Sequence, residues 1–262
     1  MRKLYLLAAL GILLTPILAS AQSVFDGTWK TDMSKVDFPK KPDVYLLKDG
    51  MYSCKTCTPP YTIKADGSDQ KITDPYVDTM AVKVINDHEI ELTGKKNGKA
   101  VQESKIMVSP DGNTMSFEFT DSSNTNAAPV TGKGEETRVA KGPAGSSPIS
   151  GSWRMSKIEN MSDNGITVTY KVSGNELTMT NLTGQSYTAK LDGSDAPMKG
   201  DPGITSVSVK MIGKNTLEET DKRDGKVIGV FKATVQPDGK TIAAMYDDRL
   251  QGRTAKWTMT KQ

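Results

Sequence analysis

The residues that could carry chemistry are few in this chain: two cysteines, one histidine and some clustered aspartates. Cys54 and Cys57 form a Cys-x-x-Cys pair. A redox pair of this kind places its first cysteine at a helix N-terminus, which lowers the thiol pKa, but Thr58-Pro59-Pro60 follows here in a β context. Haem attachment requires a histidine directly after the second cysteine, and Thr58 occupies that position. We therefore predict a local disulfide between Cys54 and Cys57, formed in an oxidising compartment.

The histidine and the aspartates do not suggest a catalytic or metal-binding site. His88 lies in the sequence INDHE, and its counterpart in the second half of the chain is Asn215, which indicates a turn residue. The DGSD segments at Asp66 and Asp192 lack the spacing and the closing glutamate of a calcium loop. A typical zinc site needs more histidine and cysteine ligands than the chain supplies. The sequence therefore predicts a protein that is not an enzyme, with no catalytic residue, metal or cofactor.

The N-terminus has the three parts of a secretory signal peptide. Two basic residues precede an apolar run at 4–18, and Ala-Ser-Ala at 19–21 provides small residues for cleavage. A membrane anchor is the weaker interpretation, because the run is short for a span and contains Pro16. We expect residues 1–21 to be removed and the rest to be exported, to the periplasm or the extracellular space, with no membrane span.

The chain also contains an internal duplication. YTIKADGSD at Tyr61 returns as YTAKLDGSD at Tyr187, and VSPDGNT at Val108 returns as VQPDGKT at Val235, a separation of 127 residues. A repeat at a fixed period requires each copy to be a structural unit. The predicted organisation is a signal peptide at 1–21, one repeat at 22–140, a linker rich in Gly and Ser at 141–150 and a second repeat at 151–262.

Both copies alternate apolar and polar residues between turn sequences. ITVTYKVSGNELTMT alternates around Gly174-Asn175, and KIMVSPDGNTMSFEF alternates around Asp111-Gly112. Asp-Gly between such runs is typical of a β-hairpin, and no stretch after the N-terminal segment keeps apolar residues at a helical spacing. We predict an all-β fold of two tandem antiparallel meander β-barrels, because closing a meander on itself removes its edge strands.

Each copy begins with a Gly-x-Trp sequence, Gly27-Thr28-Trp29 or Gly151-Ser152-Trp153, and has a basic residue on its last strand, Arg138 or Arg253. This pattern resembles the lipocalin-type barrel, as found in uncharacterised exported bacterial proteins with lipocalin-like domains. The resemblance implies that each tryptophan closes a barrel floor and that the arginine packs over its ring. It also implies a cup for a small apolar molecule.

Five residues of the second copy are candidates for lining such a cup, because alternation places them on the apolar face of their strands. They are Tyr170, Met179, Met211, Phe231 and Met245. The same positions also suit a packed core, and a cavity of about 300 Å³ or more would favour the ligand interpretation.

The expected function is that of an exported, non-enzymatic protein that binds a small apolar or amphipathic molecule. The alternative is a structural or interaction protein of the cell envelope, with filled barrels and a protein or glycan partner. The formal net charge is only +3, and no basic stripe alternates with aromatic residues, so the sequence argues against nucleic acid as a partner.

Overall fold

The structure is a computed structural model that describes residues 23–123 and 127–262. The predicted signal peptide at 1–21 lies outside these ranges. Within them the chain forms twenty strands and one 3-10 turn at Asp163–Gly165. No helix in the described ranges is long and apolar enough to cross a membrane.

The strands form two antiparallel sheets of ten strands each, named here barrel one and barrel two. Nine strands of barrel one follow one another along the first repeat: β2 (Asp43–Lys48), β3 (Met51–Cys54), β4 (Tyr61–Lys64), β5 (Gln70–Lys71), β6 (Thr79–Asn86), β7 (Glu89–Lys96), β8 (Lys99–Val108), β9 (Thr114–Asp121) and β10 (Val130–Lys141). Nine strands of barrel two follow one another along the second repeat: β12 (Thr167–Ser173), β13 (Glu176–Asn181), β14 (Ser186–Lys190), β15 (Asp192–Pro197), β16 (Ser206–Met211), β17 (Thr216–Arg223), β18 (Lys226–Val235), β19 (Thr241–Asp248) and β20 (Arg253–Lys261).

The tenth strand of each barrel comes from the other repeat. β1 (Gly27–Asp37) lies between β12 and β20 of barrel two, and β11 (Gly151–Met161) lies between β2 and β10 of barrel one. The barrels therefore do not follow the predicted boundaries at 140 and 151, although the sequence repeat does. The predicted linker at 141–150 joins two neighbouring strands of barrel one, so it is a hairpin connection within one sheet. Both first strands carry the same Gly-x-Trp pattern, and each fills the gap in the barrel of the other repeat.

Both sheets curl until their end strands nearly meet. In barrel two, Ser186 and Lys199 exchange two backbone hydrogen bonds of 3.0 and 2.9 Å across the gap. In barrel one, the Gly67 amide donates to the Val82 carbonyl at 2.9 Å, beside a bridge between Asp66 and Lys83. The predicted all-β fold of two antiparallel barrels is confirmed.

The two tryptophans of the Gly-x-Trp sequences are fully buried, each at one end of a hydrophobic core. The Trp29 indole N–H donates to the Phe25 carbonyl at 2.8 Å, and the Trp153 indole N–H donates to the Ile149 carbonyl at 2.9 Å. The apolar residue four positions before each tryptophan therefore fixes the ring and packs beneath it. The same hydrogen bond from the indole N–H therefore occurs in both barrels.

A cation covers each tryptophan ring, but in neither barrel does it belong to the predicted pair. The Arg138 guanidinium lies 3.9 Å from the centroid of the Trp153 ring, whereas the Lys261 ammonium lies 5.3 Å from that of Trp29. The resemblance implied Arg138 over Trp29 and Arg253 over Trp153, each within its own copy, and both pairings are corrected. Because β11 lies beside β10, the register pairs Trp153 with Arg138. The register pairs Trp29 with Lys261 and places Arg253 at the opposite end of β20.

Arg253 instead joins the two barrels. Its Nη2 lies 2.7 Å from Oδ1 of Asp43 on β2, and its Nη1 lies 3.1 Å from Oδ2 of the same carboxylate. Such a bidentate pair fixes geometry more strongly than a single contact. The loop after β19 adds a second link, since the Lys41 ammonium donates to the Gln251 carbonyl at 2.6 Å.

The glycine of the Gly-x-Trp sequence is required by its backbone. Gly27 and Gly151 have φ angles of +130° and +142°, a region that other residues rarely adopt. A Cβ atom on Gly151 would lie 2.4 Å from the Ala140 carbonyl oxygen, and one on Gly27 would lie 2.6 Å from Cε of Lys261. The missing side chain lets the neighbouring strand and its cation reach the tryptophan.

The strand exchange predicts a specific cross-link. The Thr28 and Thr169 hydroxyl oxygens are 2.9 Å apart across the pair of β1 and β12, so cysteines at these two positions should form a disulfide on oxidation. The matched control is a cysteine pair at Thr28 and Val44, because Val44 occupies the equivalent place beside Ser152 in barrel one. Peptide mapping by mass spectrometry should find the first cross-link and not the second. The reverse result would show that each repeat keeps its own first strand.

Candidate functional site

A cavity of about 610 Å³ lies inside barrel two and extends to the place where the two barrels meet. Its interior wall comes from strands β12, β13, β17, β18, β19 and β20. Barrel one supplies the rest of the wall near the mouth, from Tyr76, Phe119, Asp121, Ser123, Ala128 and Val130. Both barrels therefore build the site.

About half of the residues that line the cavity are aromatic or aliphatic. Phe231 and Trp257 stack with their ring centroids 5.8 Å apart, and Tyr170, Met179 and Met259 complete the apolar part. Alternation along β18 and β20 explains the placement, because Phe231 shares a strand face with buried Ala233, and Trp257 shares one with buried Met259.

The five residues predicted to face a cup fall into three groups. Tyr170, Met179 and Phe231 line the cavity. Met211 packs against the barrel-two core without reaching the cavity. Met245 lies on the outer face of β19, between Lys232 and Lys256 of the neighbouring strands, and its assignment as an inward residue is corrected.

The register of β19 explains the Met245 correction. Ile242 and Ala244 are buried in the core, and Tyr246 two positions further lines the cavity, so the even-numbered residues of this strand face inward. Successive side chains of a strand point to opposite faces. The strand therefore turns a tyrosine inward and a methionine outward, which hydrophobicity alone does not predict.

Two carboxylic acids lie in the buried part of the cavity, Glu219 and Asp221, called the acid pair here. They follow buried Leu217 on the inward face of β17, and they are only 7 and 4% exposed. The Tyr187 hydroxyl donates to Oε2 of Glu219 at 2.5 Å. Oδ1 of Asp221 is buried without a hydrogen-bond partner. A buried polar atom without a partner is costly, and native proteins have few.

Burial is the main cause that raises the pKa of Glu219 and of Asp221 above the usual range of a carboxyl group. The charge of Asp221 raises the pKa of Glu219 further, because two carboxylates in a low-dielectric site repel each other. The hydrogen bond from Tyr187 acts in the opposite direction on Glu219. The acid pair therefore holds protons more tightly than exposed carboxyl groups do.

Tyrosines surround the acid pair. Burial and the nearby carboxylates raise the pKa of Tyr170, Tyr187 and Tyr246, so all three remain neutral hydrogen-bonding groups at physiological pH. Tyr246 lies directly over Gly229 of the neighbouring strand, where a Cβ atom would be 2.0 Å from the tyrosine hydroxyl oxygen. Gly229 thus makes room for Tyr246 at the edge of the acid pair.

A polar group at the mouth connects the barrels. The Tyr76 hydroxyl of barrel one donates to Oδ1 of Asp201 at 3.0 Å, and the Gln185 amide donates to Oδ2 of the same carboxylate at 2.7 Å. Tyr76 and Gln185 both line the cavity. The mouth is therefore held by side chains from both repeats.

The acid pair is not among the residues predicted to line a cup, because only apolar residues were candidates. Alternation from Leu217 nevertheless places both acids on the inward face of their strand. The repeat carries a second signal, because a separation of 127 residues aligns Glu219 with Leu92 and Asp221 with Gly94. Inward positions that are apolar in one copy and acidic in the other mark a site that the copies do not share.

Barrel one has an apolar interior at the equivalent positions. Leu92 packs against its core, as do Tyr45 and Tyr61, which correspond to Tyr170 and Tyr187. The ring of Tyr52 lies between these two tyrosines, with centroid distances of 6.2 and 6.3 Å. The buried carboxyl group of barrel one, Glu136, lies instead on β10.

The predicted disulfide between Cys54 and Cys57 is present, and Cys54 is buried in the core of barrel one. His88 lies in the turn between β6 and β7, where Nδ1 is 3.1 Å from the Val108 carbonyl oxygen. Its counterpart Asn215 makes the same contact with the Val235 carbonyl at 2.9 Å. Both residues therefore hold an equivalent turn.

The two DGSD segments differ: the first is a bend after β4, and the second is the irregular start of strand β15. In both, the first aspartate carboxylate accepts the backbone N–H two residues ahead at 2.9 Å. Across 23–123 and 127–262, no cluster of three or more His, Cys, Asp or Glu side chains could hold a metal ion.

No protein-family model matches this chain, and no curated protein matches it in sequence. The functional assignment therefore rests on the barrels, the cavity and the residues that line it.

Glu136 on β10 is a buried carboxyl group in barrel one, and its ionisation should make the stability of the protein depend on pH. It is 5% exposed, and burial, with a smaller effect from Asp43, raises its pKa to about 7 from the ordinary 4.5. Because the folded pKa exceeds the unfolded one, the stability that this group contributes is complete below about pH 4.5 and is lost as pH rises through about 7. The loss is at most about 3 kcal/mol.

Glu136→Gln should therefore raise the free energy of unfolding above about pH 7 and reduce its decline between about pH 5 and 8. Urea unfolding of both proteins at several pH values would measure this. Glu135→Gln is the matched control, because Glu135 lies on the outward face of the same strand. Identical pH profiles for wild type and Glu136→Gln would contradict the assignment.

Proposed function

We propose that this protein is an exported, lipocalin-like binding protein that holds one small amphipathic molecule inside barrel two. The observation that carries the proposal is the cavity of about 610 Å³. Sites for small molecules generally have about 300–1,000 Å³, with mostly apolar walls and a few polar groups. This cavity has that volume, and its lining combines apolar residues with a larger share of polar ones than is usual.

The floor of barrel two supports the lipocalin-like part of the proposal. Phe25 and Trp29 fill the lower end of the barrel, with Lys261 over the indole ring. The cavity begins beyond them, where Thr31 follows Trp29 on the same face of β1, and it reaches exposed residues such as Ala128 and Gly165. A barrel closed at one end and open at the other is a cup for a small ligand.

The difference between the barrels favours one binding site per chain. The aromatic cluster of Tyr45, Tyr52 and Tyr61 occupies the centre of barrel one. Filled barrels were the basis of the alternative function, an envelope protein that binds a protein or glycan through its surface. Barrel two departs from that description, so the ligand interpretation has the stronger support. In this proposal barrel one supplies structure and part of the cavity mouth.

Export rests on the signal-peptide pattern at 1–21 and is supported by the disulfide. Disulfides persist in the periplasm and outside the cell, and they are rare in the cytosol. The Cys54–Cys57 bond is therefore compatible with an oxidising compartment. The proposed mode of action is binding without catalysis.

Titration with the uncharged apolar probe N-phenyl-1-naphthylamine tests this function. The wild-type protein should show a saturable rise in probe fluorescence with one site per chain. Val168→Trp adds a bulky ring to the cavity wall and should weaken binding by about tenfold or more, because the cavity cannot hold both groups. Lys171→Trp, on the exposed face of the same strand, is the matched control and should bind like wild type.

Circular dichroism melting would establish that both variants are folded. Absence of saturable binding to the wild type, or equal binding by Val168→Trp and wild type, would overturn the proposed site.

A further inference from the structure

We propose that the molecule bound in barrel two carries a positively charged amine, which the acid pair Glu219 and Asp221 holds in the buried part of the cavity. This inference deepens the proposed function and rests on it. Its chemical class is an amphipathic cation, a primary amine or a related ammonium group attached to an apolar body.

The first observation is the unpartnered oxygen. Oδ1 of Asp221 is buried, lines the cavity and accepts no hydrogen bond. An unmade hydrogen bond on a buried carboxylate is costly. Oε2 of Glu136 in barrel one is unpartnered too, but only the Asp221 oxygen lies in a residue that lines this cavity. A ligand ammonium has three N–H donors, so it can supply the missing bond to Asp221 and further bonds to Glu219 and the tyrosine oxygens.

The second observation is the absence of a resident cation. Among the described residues that line the cavity there is no lysine, arginine or histidine. The two basic residues that follow on β17 are engaged elsewhere: Lys222 lies 2.5 Å from Asp195, and the Arg223 guanidinium donates to the Gly203 carbonyl at 2.6 Å. Buried carboxylates are normally paired or hydrogen-bonded. Once deprotonated, the acid pair therefore has the charge for a cation that the lining residues do not supply.

The other groups that face the acid pair are neutral or negative. Tyr170 of β12, Tyr187 of β14 and Tyr246 of β19 are the nearest titratable residues on the surrounding strands. Asp201, in the loop before β16, adds negative charge near Asp221, and Asp121 of barrel one lines the same cavity. An anionic ligand would be repelled here, and a cation would be attracted.

The aromatic wall suits the same ligand. Trp257, Phe231 and the tyrosines present rings to the cavity. An ammonium group over an aromatic face is attracted by the negative face of the ring, and the rings also bury the apolar body of an amphipathic amine. Carboxylates together with aromatic rings therefore recognise both the charge and the apolar part of the molecule.

The internal repeat shows that the barrel does not need the acid pair to fold. Barrel one has Leu92 and Gly94 at the equivalent positions, and Leu92 packs against its core. A buried acid is less favourable than an apolar residue at such a place unless it has a partner. The acids of barrel two are therefore specific to its cavity.

Binding of an amine should depend on pH. The acid pair must lose a proton to pair with an ammonium group, and its raised pKa delays that loss. Affinity should therefore rise as pH increases from about 6 to about 9 and then fall as the amine itself loses its proton near about 10.

Calorimetric titration with three compounds of similar size tests the inference: 2-phenylethylamine, 2-phenylethanol and 3-phenylpropanoate. The amine should bind at least about 30-fold more tightly than the alcohol, since a buried charge pair is worth several kcal/mol, and the carboxylate should bind least. Glu219→Gln and Asp221→Asn should each remove most of this preference and its pH dependence, with little change for the alcohol. Glu218→Gln is the matched control, because Glu218 lies on the outer face of β17, paired with Lys210 and Lys232.

The outcomes separate the two proposals. If the alcohol or N-phenyl-1-naphthylamine binds in the cavity but the amine has no advantage, the cation inference is wrong and the proposed binding function stands. If the amine advantage persists in both acid variants, the acid pair is not its cause. If no compound or probe binds the wild type, both proposals are wrong.

Discussion

Each barrel closes its sheet with a first strand that the other repeat supplies. The strand brings the glycine, the floor tryptophan and the apolar residue before it, and it lies between two strands that would otherwise be separate edges. Neither repeat can complete its barrel from its own strands in this arrangement. Because the chain crosses between the barrels at both first strands, the two are held side by side, and contacts such as Arg253 with Asp43 follow from that placement. The cavity mouth, with Tyr76 of one barrel bonded to Asp201 of the other, depends on the same constraint.

The two barrels have the same strand arrangement but different residues in their interiors. The buried floor, the cation over the indole ring and the turn held by His88 or Asn215 are repeated with the same contacts. The interiors diverge at a few inward positions, where barrel one has Leu92 and tyrosine packing and barrel two has the acid pair. The apolar interior of barrel one is the more stable arrangement, since burying a carboxyl group without a partner is unfavourable. The acid pair of barrel two is favourable only if a bound ligand supplies that partner.

Much of the fold could be predicted because it depends on local patterns. Alternation and turn residues predicted the strands, and the duplication predicted two similar barrels. The strand exchange could not be predicted, because both first strands carry the same Gly-x-Trp pattern. Each arginine was assigned to the tryptophan of its own copy, and the exchange instead pairs Trp153 with Arg138 and Trp29 with Lys261. The acid pair was missed because only apolar inward residues were sought, whereas a ligand site combines apolar walls with a few buried polar groups.

Native mass spectrometry of the protein, purified from the exported fraction without detergent, tests the central claim most directly. The claim is that barrel two is a cup that holds one small molecule. The predicted result is a discrete added mass, one per chain, that disappears on denaturation and is recovered by solvent extraction as a small amphipathic compound. A bare chain mass that stays unchanged after incubation with N-phenyl-1-naphthylamine would contradict the claim and favour a protein or glycan partner at the outer surface.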